Sequence, residues 1–192
     1  IERGTLSLTL TYPVSRTGIL MGKFIAHLAV LTIAVGAGYG LAAITALATD
    51  AEAVTGLPAL LRLFWSSILL GAVFLALGYA LSAIARRPGA AAGLAIGVWL
   101  ALVVLYDLGL LAAVVADGGG AFTARALPWL LLANPADAFR LYNLAASEAT
   151  AAASGLGGAA QTIPAVHALI SVLLWPLAAF GLAVAALRRV TP

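Results

Sequence analysis

The chain has 192 residues, of which 64% are hydrophobic and only 9% are charged. Soluble proteins average about 25% charged residues, so a water-soluble fold of this length could not bury so much apolar surface. There is no cysteine, which excludes disulfides, cysteine-ligated zinc and thiolate copper sites in this stretch. The net charge of +3 comes from single and paired basic residues, and these form no nucleic-acid-binding patch.

Four apolar stretches are long enough to cross a bilayer, since about 20 helical residues cover a hydrocarbon core of about 30 Å. No charge lies in the middle of any of them. The sequence therefore predicts an all-α membrane protein with a short cytoplasmic region, residues 1–23, followed by a transmembrane domain, residues 24–192. The predicted spans are residues 24–49, 63–85, 89–116 and 164–187.

The distribution of Lys and Arg predicts the orientation. With a cytoplasmic N-terminus, seven of the ten cationic residues lie inside and three lie outside. Cationic loops remain cytoplasmic, so both termini are expected in the cytoplasm of a bacterium and residues 117–163 in the periplasm. The seven inside residues are Arg3, Arg16, Lys23, Arg86, Arg87, Arg188 and Arg189.

Glycines recur every fourth residue in the third span, at Gly89, Gly93 and Gly97, and in the first at Gly36 and Gly40. Small residues on one face let two helices approach closely in lipid, so helix packing is the favoured interpretation. A glycine-lined substrate path is the alternative.

Residues 117–163 contain signals for two short helices at the outer membrane surface. Residues 127–133 are apolar but too short to span. Asn134 is then a typical N-cap, with Pro135 at the first helical position and Asp137 in the first turn. The residues assigned here to a gate or to contact with a periplasmic partner are Asn134, Pro135, Asp137, Phe139 and Arg140.

The chain offers no catalytic site. Gly22 and Lys23 do not form a phosphate-binding loop, because Phe24 replaces the Ser or Thr and no strand precedes them. Ser154 has no paired histidine, which argues against an intramembrane protease. The chain is therefore predicted not to be an enzyme.

Metal ligands are scarce. Met21, His27 and His167 are the soft or imidazole ligands available, and the two histidines lie at opposite ends of their spans. Packing or interfacial roles are the favoured interpretation, so no metal site or cofactor is predicted in this chain.

Asp107 is an ionisable residue toward the outer end of the third span. Such residues are costly in lipid and are often functional, so Asp107 is a candidate pathway residue. The alternative is an acid that reaches water at the membrane surface.

The first residues have an ambiguous pattern. Leu6, Leu8 and Leu10 alternate with Ser and Thr as in a strand, but a lone strand at a membrane surface lacks a partner. An interfacial helix that ends before Pro13 is easier to form, because a helix satisfies its own backbone. A plain juxtamembrane anchor would also fit.

Three motifs in this region resemble the coupling region of type-two ABC exporter permeases: Glu-Arg-Gly-Thr-Leu at 2–6, Pro-Val-Ser-Arg at 13–16 and Gly-Lys at 22–23. The resemblance implies a cytoplasmic coupling helix that docks on a separate ATPase, which binds the ATP and Mg²⁺. It also implies a second permease copy and six spans in the whole protein, of which this chain would lack the first two. The coupling residues implied are Glu2, Arg3, Gly4, Thr5, Pro13 and Arg16.

Residues 11–16, 22–28 and 134–140 are similar, more narrowly, to the permease family of nitrous-oxide-reductase maturation transporters. That resemblance implies a cytoplasmic ATPase, a periplasmic accessory protein and a role in assembling a copper centre. The output would be export of a small species or conformational work on the periplasmic partner.

Two other classes of function remain as alternatives. A self-contained secondary transporter or channel would need polar groups at the bilayer midplane, which these spans nearly lack. A passive membrane anchor for a periplasmic protein needs no such groups.

The orientation can be tested with single cysteines, because the chain has none of its own. We expect a membrane-impermeant maleimide to label Ala121→Cys in intact spheroplasts, and Ala85→Cys only after the membrane is opened. The reverse labelling pattern would overturn the predicted topology.

Overall fold

The computed structural model describes residues 15–85, 87–144 and 163–188, and the regular structure in these ranges is entirely helical. Four of its helical segments are long and apolar enough to cross a membrane. The helices are α1 (Arg16–Thr49), α2 (Leu57–Ile84), α3 (Pro88–Leu100), α4 (Tyr106–Asp117), α5 (Leu127–Ala133), α6 (Pro135–Leu144) and α7 (Ala165–Arg188).

The first span, α1, begins earlier than its apolar stretch. Ser15 is its N-cap, because its Oγ accepts a hydrogen bond from the N–H of Gly18 at 3.0 Å. Residues 16–23, assigned above to the coupling region, are therefore continuous with the span. Hydropathy locates where the apolar residues start, whereas the N-cap residue Ser15 determines where the helix starts. The predicted interfacial helix and the motif at 2–6 lie outside the described residues.

The second span, α2, also begins before its predicted start at residue 63. A 3₁₀ turn (Ala51–Gly56) precedes it, with Asp50 accepting a hydrogen bond from the N–H of Glu52 at 2.8 Å. Leu57 and Pro58 then open the helix, since proline is well tolerated in a first turn. Arg62 consequently lies within α2 rather than before it.

The third span is one helix interrupted by a π turn. α3 and α4 are joined without a break by Ala101–Leu105, which has π-helical hydrogen bonding. The N–H of Tyr106 bonds to the carbonyl of Ala101, five residues back. Helix α4 ends at Gly118, which has a left-handed conformation with φ 57°. The outer limits of this span and of α7 agree with the predicted ones to about one residue.

The tightest contact in the bundle joins α2 to α7 through alanines. Ala76 and Ala179 are fully buried against each other's helix, and Ala80 and Ala183 form the next layer toward the end of α7. Small side chains allow this close approach, which replaces the hydrophobic driving force that lipid cannot provide.

The glycines of the third span do not make the contact predicted for them. A Cβ built on Gly89, Gly93 or Gly97 would have no atom within 4 Å, so this face touches no other helix in the described part of the chain. By contrast, a Cβ on Gly71 would overlap Leu31, and a Cβ on Gly36 would lie 3.5 Å from Phe64, so glycines do lie at the contact of α1 with α2.

The α2–α7 contact should not tolerate a larger side chain. We expect Ala76→Leu to destabilise the protein by about 1–3 kcal/mol, the usual cost of overpacking a close-packed interior. Thermal unfolding in detergent would measure it. Ala185→Leu is the matched control, because Ala185 is exposed on α7. Equal melting temperatures for the two variants would contradict this packing.

Candidate functional site

Helices α5 and α6 form a helical cap, residues 127–144, at one end of the bundle. Asn134 separates them with extended backbone angles, and its Oδ1 accepts a hydrogen bond from the N–H of Ala136 at 2.9 Å. Pro135 loses no hydrogen bond at the first helical position, and Asp137 lies in the first turn. The predicted pair of short helices and the predicted helix start are both confirmed.

The start of α6 is among the most buried parts of the described protein. Residues 134–138 are all buried, with Asp137 only 3% exposed and Asn134 only 1%. Leu131 and Leu141 pack with Ala168 of α7 in a small apolar core. The cap is thus held among the spans and does not lie loosely on them.

The π turn supplies hydrogen-bond acceptors to the cap. In a π turn the regular i to i−4 pattern is shifted, so some carbonyls become available to other donors. Asn134 donates through Nδ2 to the carbonyl of Leu102 at 2.7 Å. Arg140 donates to the carbonyl of Val103 at 3.3 Å, and the Tyr106 hydroxyl donates to the carbonyl of Leu130 at 2.9 Å.

Arg140 joins two carboxylates across the same contact. Its Nη1 donates to Asp137 Oδ1 at 2.8 Å and also to Asp107 Oδ2. Asp107 comes from α4, whereas Asp137 and Arg140 are one turn apart on α6. We call these three residues the charged triad. Asp107, for which the sequence leaves a pathway residue and a water-exposed acid as alternatives, is therefore an ion-pair partner of the cap.

The surroundings of Asp137 alter its protonation. Burial, followed by the hydrogen bond and the charge of Asp107, raises the pKa of Asp137 from 3.8 to about 7. Arg140 acts in the opposite direction but does not compensate. Because this pKa lies above that of the unfolded chain, protonation stabilises the folded cap at low pH. That contribution is lost as the pH rises through about 7.

The second span holds the other end of α6. The guanidinium of Arg62 lies 3.8 Å from the centroid of the Tyr142 ring and donates to the Tyr142 carbonyl. Ser66, which is fully buried, accepts a hydrogen bond from Nδ2 of Asn143 at 3.0 Å. The Trp65 ring stands edge-on to Tyr142 at 5.3 Å.

The fourth span completes the attachment. Ser171 of α7 donates to the carbonyl of Leu132 at 2.6 Å. The cap therefore has polar bonds to the second, third and fourth spans. In lipid such bonds matter because an unsatisfied carbonyl has no water to replace the lost partner.

The sequence-derived site residues fall into two groups. Asn134, Asp137, Arg140 and Asp107 are brought together, with Pro135 buried beside them and Phe139 half-buried on the same helix. The coupling residues Glu2, Arg3, Gly4, Thr5 and Pro13 lie outside the described residues. Arg16 is the first residue of α1, and only its backbone is described.

Several residues of the site were not singled out from sequence. The predicted second span begins at residue 63 and leaves Arg62 in the preceding loop, although Pro58 is a signal for a helix start four residues earlier. Ser66 and Ser171 lie in apolar helices, where a serine hydroxyl commonly bonds to its own helix, and Tyr106 has no local signal for a partner. The residues missed are Arg62, Ser66, Tyr106, Asn143 and Ser171.

The two histidines lie at opposite ends of the bundle, and neither belongs to the charged triad. Nδ1 of His27 lies 2.7 Å from the Tyr79 hydroxyl in the half of the bundle opposite to the cap. His167 lines an apolar groove beside α5 with Trp129 and Trp175. Their predicted separation is confirmed.

Comparison with known proteins assigns the chain to a family of membrane transporters, as the helical spans suggest. The model of the ABC-2 family of transporter proteins matches residues 1–190, and the chain belongs to that family. It is thus a multi-pass inner-membrane protein of the ABC permease class.

Two curated relatives are similar over nearly the whole chain. The chain is 47% identical over 192 residues to the probable ABC transporter permease protein NosY of Pseudomonas aeruginosa. It is 44% identical over 197 residues to the protein of the same name from Stutzerimonas stutzeri. Each match covers 98% of this chain and 69% of the relative. These matches confirm the resemblance stated from the sequence motifs.

Asn134 should stabilise the cap in two separable ways. Asn134→Ser retains an N-cap acceptor but loses the donor to Leu102, whereas Asn134→Ala loses both. We expect costs of about 1 kcal/mol for Ser and about 2 kcal/mol or more for Ala in the opening free energy of residues 135–144. Hydrogen exchange with mass spectrometry measures both. Equal protection in all three proteins would show that this residue does not fasten the cap.

Proposed function

We propose that this chain is the part of an ABC permease subunit that relays motion from a cytoplasmic ATPase to the helical cap on the periplasmic side. The observation that carries the proposal is the attachment of the cap to three spans through hydrogen bonds, a cation–π contact and the charged triad. A cap fixed in this way follows the spans when they move.

The input would enter at the N-terminal segment. Its residues Glu2, Arg3, Gly4, Thr5, Pro13 and Arg16 would contact the ATPase, as the resemblance implies. Helix α1 runs unbroken from Arg16 to Thr49, so a displacement of the preceding segment would be transmitted along the whole helix. A continuous helix is a suitable lever because its hydrogen bonds resist bending at any one point.

The motion would then pass between the spans. α1 contacts α2 through Phe24 and Tyr79 near one end and through a 3.1 Å contact of Tyr39 with Ser67 near the other. The close α2–α7 contact makes these helices move as a pair, in a rigid-body or shear transition. Arg62 and Ser171 connect this pair directly to the cap.

The relatives' name and the sequence motifs support a role in nitrous-oxide-reductase maturation, where the work would assist assembly of a copper centre. In the described residues the charged side chains gather at the helix ends and the cap, and the middle of each span is apolar. This arrangement favours conformational work on a periplasmic accessory protein over passage of an ion. A second permease copy, and ATP with Mg²⁺ on the ATPase, would complete the assembly.

Charge reversal at the input should uncouple the ATPase. We expect Arg3→Glu and Arg16→Glu each to lower the ATP turnover of the purified complex about tenfold, because like charges at a docking surface cost several kcal/mol. Arg125→Glu is the matched control, since Arg125 is exposed in the turn before the cap and should leave turnover unchanged.

The same purification separates the competing functions. If no ATPase accompanies the permease, or if Arg125→Glu lowers turnover as much as the other two changes, the relay is overturned. A secondary transporter or channel would instead show solute flux in vesicles that contain this protein alone. A passive anchor would show neither flux nor dependence on Arg3 and Arg16.

A further inference from the structure

The charged triad carries an unbalanced charge, and one of its carboxylates, that of Asp137, is buried. Asp107 and Asp137 contribute two negative charges when both are ionised, and Arg140 contributes one positive charge. Both carboxylates are held by the same nitrogen, Nη1 of Arg140. Asp137 Oδ2 is buried and has no hydrogen-bond partner among the described residues. The ion pairs of Arg140 thus leave Oδ2 of Asp137 without a hydrogen bond.

Within the ranges that the structure describes, no other charged group on the helices packed against α6 compensates for the excess. From the third span, Tyr106 uses its hydroxyl on the carbonyl of Leu130. From the second span, Arg62 is turned to Tyr142 at the far end of α6. In the described part of the fourth span, His167 lies in the groove with Trp129 and Arg188 is at the opposite end. Helix α5 has no ionisable side chain.

One proton would satisfy both the charge and the orphaned oxygen. Two carboxylates on one guanidinium nitrogen cannot both remain ionised at low cost, because desolvation adds to their mutual repulsion. A protonated Asp137 becomes a donor, and the carboxylate of Asp107 is close enough to accept its hydrogen bond. The triad then has no net charge and no unpartnered oxygen.

We infer that Asp107 and Asp137 form a proton-binding site, and that the bound proton fastens the helical cap to the π turn of the third span. The ligand is a single proton from the aqueous phase on the cap side. The raised pKa of Asp137, caused by its burial and by Asp107, agrees with this geometry. The inference does not rest on the proposed coupling to an ATPase.

Loss of the proton changes what holds the cap. The triad then has a net charge of −1, and repulsion between the two carboxylates acts across the interface between α4 and α6. The ionised Asp137 attracts Arg140 more strongly, but a single guanidinium cannot neutralise two carboxylates. The cap becomes easier to open as the pH rises, without any change in the spans themselves.

Infrared difference spectroscopy of the full-length protein in lipid nanodiscs tests the site directly. We expect the spectrum to show the C=O stretch of a protonated carboxylic acid at about pH 5, and we expect this band to disappear by about pH 9. Asp137→Asn should remove the band. Asp107→Asn should move its titration to lower pH, because the remaining carboxylate and guanidinium form a neutral pair. Glu52→Gln, which removes an exposed acid outside the cap, should leave the band unchanged.

Hydrogen exchange of residues 135–144 tests the fastening. After correction for the intrinsic pH dependence of exchange, protection in the wild type should fall about tenfold over the same pH range. In Asp137→Asn it should not depend on pH. A band that Asp137→Asn leaves intact overturns the site, and wild-type protection that is independent of pH overturns the fastening.

Neither measurement uses nucleotide or the ATPase, so the inference can fail while the proposed function holds, and the reverse. If Asp137→Asn does not fold, the wild-type titration and its displacement in Asp107→Asn decide the outcome. Absence of a titrating band in the wild type overturns the inference by itself.

Discussion

The structure depends on one constraint, which is that backbone carbonyls buried in a membrane protein must find donors within the protein. The π turn at residues 101–105 disturbs the regular helical pattern of the third span. Asn134 and Arg140 donate to carbonyls in this turn. Donors and acceptors thus satisfy each other across two separate segments, which fixes where the cap lies and how far it can move. The charged triad then adds ionic contacts at the same place.

The cap and the bundle are consequently one mechanical unit at this end. Three spans bind the cap through different chemistry: a guanidinium and an aromatic ring in the second, the π turn and Asp107 in the third, and a serine hydroxyl in the fourth. At the other end Leu20, Ala80 and Ala183 pack through apolar contacts, and the Tyr79 hydroxyl with His27 adds one polar contact beside them. Directional polar contacts resist sliding more than apolar contacts do, and most of the polar contacts lie at the cap. This asymmetry is what a relay of motion toward the cap would require.

The sequence was sufficient for the features that have a local cause. Apolar length predicted the four spans, and the order of Asn134, Pro135 and Asp137 predicted the start of α6. The π turn was not predictable, because Ala-Leu-Val-Val-Leu is as compatible with an α-helix. The partnership of Asp107 with Arg140 joins residues 33 apart in sequence, and no local pattern encodes it. The glycines of the third span have the spacing of a helix contact, but no described helix packs on them, and the close contacts lie elsewhere, between α1 and α2 at Gly71 and between α2 and α7 at alanines.

The length of α1 relates the protein to the bilayer that surrounds it. The 34 residues of this helix extend about 51 Å, and its apolar part, from Phe24 onward, extends about 39 Å. A hydrocarbon core of about 30 Å accommodates that apolar part only if the helix is inclined by about 40° or if its end projects from the core. Thicker membranes would bring α1 more upright and thinner membranes would incline it further. Lipid chain length is therefore a direct physical control on the position of the helix that carries the N-terminal segment.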